Sequence, residues 1–192
     1  MASNATRLTT VTESAASQNA SNKDLPWFAL RVKSNCEKIT SLALQGRGYD
    51  EFLPTYRRIQ LSPNRLKTKA VELPLFPGYV FARFHHQDRL PVLMLPGVLY
   101  VVSIGKEPAP LDEGEIASIR LIASSKLYSE PWPFMTVGEP VEVVSGPLSG
   151  ARGNVLSIKD RCRLVVSLTL LQRSVAVEVY RDWVKPFRGN AS

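Results

Sequence analysis

The stretch "LPLFPGYVFARF", Leu73 to Phe84, limits the architectures open to this chain more than any other. From Pro77 onward it reads as a β-strand, and alternation places Leu75, Tyr79 and Phe81 on one face and Phe76, Val80 and Phe84 on the other. Both faces are apolar, whereas an antiparallel sheet in a small domain usually leaves one face to water. The second face therefore needs a cover, either a helix of this chain or the surface of a partner.

The flanking sequence supplies the remaining elements of such a sheet. "WFALRV" reads as a short strand. "SNCEKITSLALQGRGY" reads as a helix with Ser34 and Glu37 in capping-box spacing, an apolar face of Ile39, Leu42 and Ala43, and Gly46 and Gly48 at its end. "DEFLPTYRR" is a second strand candidate, "QDRLPVLML" a short helix and "GVLYVVSI" a further strand. "PLDEGEIASIRLIASS" opens with Asp112 and Glu115 in cap spacing, and Ile116, Ile119 and Ala123 line one side of the helix that follows. The order predicts an α+β domain, an antiparallel sheet with flanking helices.

At "YSEPWPFMTVGEP", Tyr128 to Pro140, prolines interrupt the pattern and the hydrophobic period changes. Beyond it, "PVEVVSG", "GNVLSI", "RLVVSLTLL", "VAVEV" and "DWVKPF" read as short strands between polar turns. A domain of roughly 50 residues without metal or disulfide gains from closing its sheet on itself, which predicts a small all-β barrel. The boundaries that follow are a disordered tail over 1–24, rich in Ser, Thr, Asn and Ala, a first domain over 25–127, a linker over 128–136, a second domain over 137–187 and a short tail over 188–192.

The net charge of +7 is unevenly spread. Residues 25–110 hold 12 Lys/Arg against 6 Asp/Glu, and residues 111–192 hold 10 against 9. The densest basic run, "RRIQLSPNRLKTK", carries Arg57, Arg58, Arg65, Lys67 and Lys69 with no acid. It is either a solvated loop or a patch that contacts nucleic-acid phosphates. Cys36 and Cys162 have no CxxC or Cys/His partners, which suits a reducing cytoplasm, and no run has the length of a membrane helix. His85 and His86 are adjacent, so on a strand their side chains diverge, and no His/Asp/Glu/Cys grouping completes a metal site. Phosphate-loop and nucleophile-elbow motifs are missing as well, so neither a cofactor nor an enzymatic activity is expected.

"WFALRVKSNCEK", "LFPGYVFARF", "LPGVLYVV" and "PLDEGEI" follow one another in the order of the N-terminal (NGN) domain of NusG-type transcription elongation factors. "VGEPVEVVSGPLSGARGNV" resembles the KOW motif of their C-terminal SH3-like barrel. The resemblance covers about residues 26–187, and "PTYRR" and "WFALRV" look more like the specialised RfaH or UpxY paralogues than the housekeeping protein.

The resemblance implies a monomeric, noncatalytic regulator that binds RNA polymerase and suppresses pausing or termination. Its N-terminal domain would dock an apolar patch on the clamp helices of the largest subunit and reach toward the second largest. The positions matching that patch are Phe76, Tyr79, Phe81 and Ile104. Tyr79 and Phe81 would then face the polymerase, with Val80 and Phe84 turned to the domain's own helices. The KOW loop matches Gly146, Gly150, Ala151, Arg152 and Gly153, whose glycines also suit plain tight turns. Ala151 stands where housekeeping relatives carry a large apolar residue that helps contact Rho or a small-subunit ribosomal protein, which weighs against both contacts. Non-template DNA and nascent RNA are further partners that the basic run could serve. Two other readings are a KOW-type ribosome-associated RNA binder and an RNA-processing enzyme with a KOW appendage.

Overall fold

The structure, a computed structural model, describes residues 24–61, 68–134, 138–158 and 161–187. The expected tails, apart from Asp24, lie outside these residues, as do Arg65, Lys67 and part of the expected linker. The described chain forms two compact units, one running to Leu53 and resuming over Gly78–Pro110, the other comprising Pro54–Pro77 and everything from Leu111 onward. This division differs from the boundary drawn at 128–136, because the helix after Leu111 and a hairpin inserted at Pro54 group with the C-terminal half.

The first unit is built on a four-stranded antiparallel sheet. Strand β1 (Trp27–Val32) is flanked by β5 (Tyr79–Arg83) and β6 (Val98–Val101), and β2 (Asp50–Phe52) lies beyond β5. Helices α1 (Glu37–Gly46) and α2 (Arg89–Leu93) serve one face of this sheet, as expected. Leu44 of α1, Val92 of α2 and Leu95 join Phe28, Leu30, Val80, Ala82 and Phe84 in a single core, with the Phe28 and Phe84 rings 4.8 Å apart. Each large side chain of this kind contributes about 1.5–3 kcal/mol on burial.

Helix α1 departs from its sequence reading in two respects. It starts at Glu37 with Cys36 as N-cap and no side-chain capping bond, so the Ser34/Glu37 capping box does not form. Its buried positions are Glu37, Thr40 and Leu44, whereas Ile39 and Leu42 are exposed. The cause is polar satisfaction: Thr40 Oγ1 donates to the Pro96 carbonyl at 2.8 Å and Glu37 Oε1 accepts the Gly78 N–H at 2.8 Å, so both side chains can be buried with their bonds made.

"DEFLPTYRR" is two strands rather than one. After β2 the chain passes through Leu53 and Pro54, and proline interrupts ladder pairing. Strand β3 (Thr55–Leu61) then pairs with β4 (Thr68–Pro74) in a separate antiparallel hairpin of the second unit. Of the basic run, the described residues 57–61 lie in β3 and 68–69 in β4.

In the second unit, α3 (Glu113–Ser124) is capped as its sequence predicts, Asp112 Oδ1 accepting the Glu115 N–H at 2.9 Å. Ile116 and Ile119 are buried, joined by Ile122, while Ala123 is half-buried. The C-terminal half is all-β, as expected. Strands β9 (Ser129–Trp132), β10 (Glu139–Val143), β11 (Arg152–Ile158), β12 (Arg161–Leu168), β13 (Arg173–Val179) and β14 (Val184–Pro186) form one antiparallel sheet in the order β14-β10-β11-β12-β13-β9. Strand β9 comes from the stretch read as linker. Among the described residues the end strands β14 and β9 are not hydrogen-bonded to each other, so a hydrogen-bonded ring is not formed. Helix α3 is tied to this sheet through Ser118 Oγ, which accepts the Arg152 N–H at 3.0 Å, and through Glu115, whose Oε1 accepts the Thr169 hydroxyl at 2.7 Å.

Candidate functional site: the PGYV strand and its neighbours

Gly78 fixes the start of the strand that opened the sequence argument. Its N–H donates to Glu37, and its carbonyl accepts the Val32 N–H at 2.9 Å and Arg31 Nη1 at 3.4 Å. It sits at φ +81°, a conformation that L side chains rarely adopt, and a Cβ there would also displace the Arg31 guanidinium. The motif is thus clamped between the end of β1 and the first turn of α1.

The pairing of β5 with β1 and β2 sets where its side chains go, and two of the four patch positions, Phe76 and Phe81, are buried where exposure was expected. Phe81 is fully buried, paired with Ala29 of β1 and Phe52 of β2, its ring 6.1 Å from the Phe52 ring. Trp27, also fully buried, packs edge-on to Phe52 at 6.5 Å and lies under the Arg83 guanidinium at 4.8 Å. Arg83 Nε is in turn 3.6 Å from Asp50 Oδ2. The second face of the sheet is therefore core at its Phe81 end, and alternation could identify the face but not how far its cover extends. Phe76 is likewise buried, at 2% exposure.

The accessible part of this face lies one rung further along. Arg31 stands opposite Tyr79 in β5 and opposite Tyr100 in β6, so the three side chains share a face in the order Tyr79, Arg31, Tyr100. Tyr79 and Arg31 are half-buried, the Arg31 guanidinium 4.8 Å above the Tyr79 ring, and Tyr100 is exposed. Ile104, in the short strand β7 (Ser103–Ile104) that pairs with β8 (Glu107–Pro108), is 72% exposed. Tyr100 is not among the residues the sequence reading singles out, although alternation within "GVLYVV" could have found it.

Arg57 and Arg58 are exposed on β3, the backbone of Lys69 lies in β4, and Arg65 and Lys67 fall outside the described residues. In the glycine loop, Gly146 and Gly150 have φ of +80° and +90°, and the Trp183 ring packs 3.0 Å from where a Gly146 Cβ would be. Gly153 lies against the Val165 carbonyl. Ala151 is completely buried, its N–H donating to Leu148 O and its carbonyl accepting the Val143 N–H, so this position presents no side chain to a partner. Arg152 is exposed, its guanidinium 4.3 Å over the Phe187 ring and 3.7 Å from Glu142.

The two histidines do not diverge. His85 precedes a 3-10 turn, its Nδ1 accepting the Gln87 N–H at 3.4 Å, and this turn brings the His85 and His86 rings into a stack at 5.0 Å. Among the described residues no group of three or more His, Cys, Asp or Glu is placed to hold a metal, and no helix is long and apolar enough to cross a membrane.

Comparison with known proteins gives this geometry a family. A family model described as "Transcription termination factor nusG" matches residues 25–120. The "Transcription termination/antitermination protein NusG" of Thermus thermophilus is 30% identical over 176 residues, covering 81% of this chain and 95% of that protein. The protein of the same name from Helicobacter pylori strain 26695 is 26% identical over 174 residues, covering 84% of this chain and 98% of that one. A solved structure described as "Domain interaction in Thermotoga maritima NusG" aligns over 87% of this chain at 19% identity, with a TM-score of 0.49. With a family model spanning the first sheet and its helices, and a relative aligned along nearly its whole length, this chain belongs to the NusG family.

Proposed function

We propose that this chain regulates transcription elongation, binding RNA polymerase through its N-terminal unit and suppressing pausing or termination. The family match over residues 25–120 carries the reading, because relatives named transcription termination/antitermination proteins align with both halves of the chain. The surface that supports docking is the Tyr79–Arg31–Tyr100 rung, together with the exposed Ile104. An arginine held between two tyrosines is the composition of an interface anchor, and each aromatic can contribute about 1.5–3 kcal/mol when a partner covers it. The clamp helices of the polymerase's largest subunit are the partner assigned to this surface, with the second largest subunit beyond them. Contacts with Rho or the ribosome through Ala151 are not part of the proposal, since that side chain is buried.

In vitro transcription over pause and terminator templates, with and without the protein, tests the function. Shortened pauses or increased read-through are expected, and Tyr100→Ala should weaken both the effect and pulldown of core polymerase. A protein that neither binds polymerase nor alters pausing would sink the proposal.

A further inference from the structure

The 3-10 turn Arg181–Trp183, between β13 and β14, borders a cleft of the second unit. The cleft holds about 390 Å³, within the roughly 300–1,000 Å³ of ordinary ligand sites, and Leu127, Tyr128, Tyr180 and Trp183 supply its apolar walls. Tyr128 and Tyr180 are 58% and 68% exposed, and Tyr180 meets Trp183 edge to face, their ring centres 4.8 Å apart at 72°. Trp183 is hemmed in: its ring lies 3.0 Å from where a Gly146 Cβ would stand, and its carbonyl accepts the Val144 N–H at 2.8 Å. The result is an aromatic wall open to solvent, the kind of surface that marks an interaction site.

The polar groups left open along this wall are donors. The Trp183 indole N–H and the Tyr180 hydroxyl have no hydrogen-bond partner among the described residues, and Arg181 forms no ion pair among them. The acceptors are taken. The carbonyls of Tyr180, Arg181 and Trp183 accept the N–H groups of Trp183, Val184 and Val144, and Glu178, the carboxylate that lines the cleft, lies 3.7 Å from the Arg163 guanidinium. The Tyr128 hydroxyl donates to Glu130, which Arg163 holds at 3.2 Å, and Asp182, in the same turn, is not part of the lining. An incoming chain with ordinary backbone N–H groups would leave them unpaired here, whereas proline has none to pair. A polyproline II segment makes no internal hydrogen bonds, so its carbonyls remain free to accept, and its rings pack on aromatic planes. Its preformed backbone also lowers the ordering cost, which suits an open site.

We infer that this cleft binds a proline-rich segment of a partner protein in polyproline II form, with its rings on Tyr128, Tyr180 and Trp183, a carbonyl on the Trp183 indole N–H and an acidic side chain on Arg181. Two complementarities select the occupant: a backbone of acceptors against open donors, and a carboxylate against an uncommitted guanidinium. A nucleic-acid strand would bring a charge with every residue, and Arg181 is the cation of the lining, so the charge balance favours a peptide with a single acid. The inference does not depend on docking of polymerase by the first unit.

The test uses the full-length protein and the fluorescence anisotropy of a labelled proline decapeptide with an aspartate at its centre. Saturable binding is expected, and replacing the prolines by alanine should weaken it about tenfold or more. Tyr180→Ala should weaken binding of the proline peptide about tenfold, as loss of an aromatic anchor does. Trp183→Phe, which keeps a ring but loses the N–H, should weaken it about fivefold, within the range for one hydrogen bond. Arg181→Gln should abolish the preference for the aspartate peptide over its lysine counterpart. Circular dichroism shows which variants are folded, and Trp183→Phe with Arg181→Gln decides the matter if Tyr180→Ala is not. Failure of the parent protein to bind, equal binding of the alanine peptide, unchanged binding in the folded variants, or displacement of the peptide by oligouridine at equal concentration overturns the assignment.

Discussion

The Glu37 carboxylate accepts the buried N–H of Gly78 at 2.8 Å, joining the first turn of α1 to the start of β5 across 41 positions of sequence. Removing the acceptor strands a buried donor, so Glu37→Ala should cost about 1–3 kcal/mol, and Glu37→Gln, which can still accept, should cost less. Urea unfolding measures both. Equal losses for the two substitutions would mean that the bond itself contributes little.

Tyr79 and Phe81 lie two residues apart on one face of β5, yet only Phe81 is sealed. Phe81→Ala should destabilise the chain by roughly 3–5 kcal/mol, as deletion of a buried aromatic does. Tyr100→Ala, on the exposed end of the neighbouring rung, should stay within about 0.5 kcal/mol of the parent while weakening polymerase binding. Thermal unfolding combined with polymerase pulldown separates the two, and a stable Phe81→Ala variant would contradict the core placement.

How far a sequence can be read depends on whether burial follows local period. Ile116 and Ile119 of α3 were legible because apolar side chains at helical spacing face the core and Asp112 supplies the cap. The face of α1 was not, because its buried positions include Glu37 and Thr40, whose cost of burial is offset by partners remote in sequence. Strand β4 was hidden by the lysines of "KTKA", and β9 by its proline, since Pro131 is acceptable on an edge strand but reads locally as a break. At the candidate site, alternation placed Tyr79 and Phe81 on one face of the strand, as the register has it. The burial of Phe81 was not legible, because covering its face needs β2 and the Trp27–Phe52 pair beside it.

Glu115, in the first turn of α3, supplies a pH test. Burial pushes its carboxyl above the ordinary 4.5, outweighing the Thr169 hydroxyl and N–H bonds that favour the anion, and the nearby Asp112 charge adds to the rise. With the folded value above the unfolded one, the native state holds the proton more tightly. Stability from this group is then present below about 4.5 and is lost as pH rises through the raised value. Glu115→Gln should remove that fall, seen as a pH-dependent difference between the two proteins in urea unfolding. A difference that does not vary with pH would show that Glu115 titrates alike in both states.

At Gly153 a methyl group would run into the Val165 carbonyl, a backbone atom that cannot swing aside, whereas a Cβ on Gly150 meets nothing within 4 Å. Gly153→Ala should therefore lose about 1–3 kcal/mol to overpacking between β11 and β12. Gly150→Ala should lose about 1 kcal/mol, from its left-handed backbone alone. Denaturation midpoints for the pair check the order, and a reversal would place the strain in the turn rather than the sheet.

The pairing of β9 with β13 has a practical consequence for cutting this protein in two. A fragment begun at the composition break, after the prolines, would leave the Val175–Val177 backbone with an open row of donors and acceptors, a template for self-association. It would also discard Ser118 and Glu115, the groups that hold the Arg152 and Thr169 amides. A soluble C-terminal fragment should start upstream of Asp112, so that the cap, the helix and the edge strand travel with the sheet they protect.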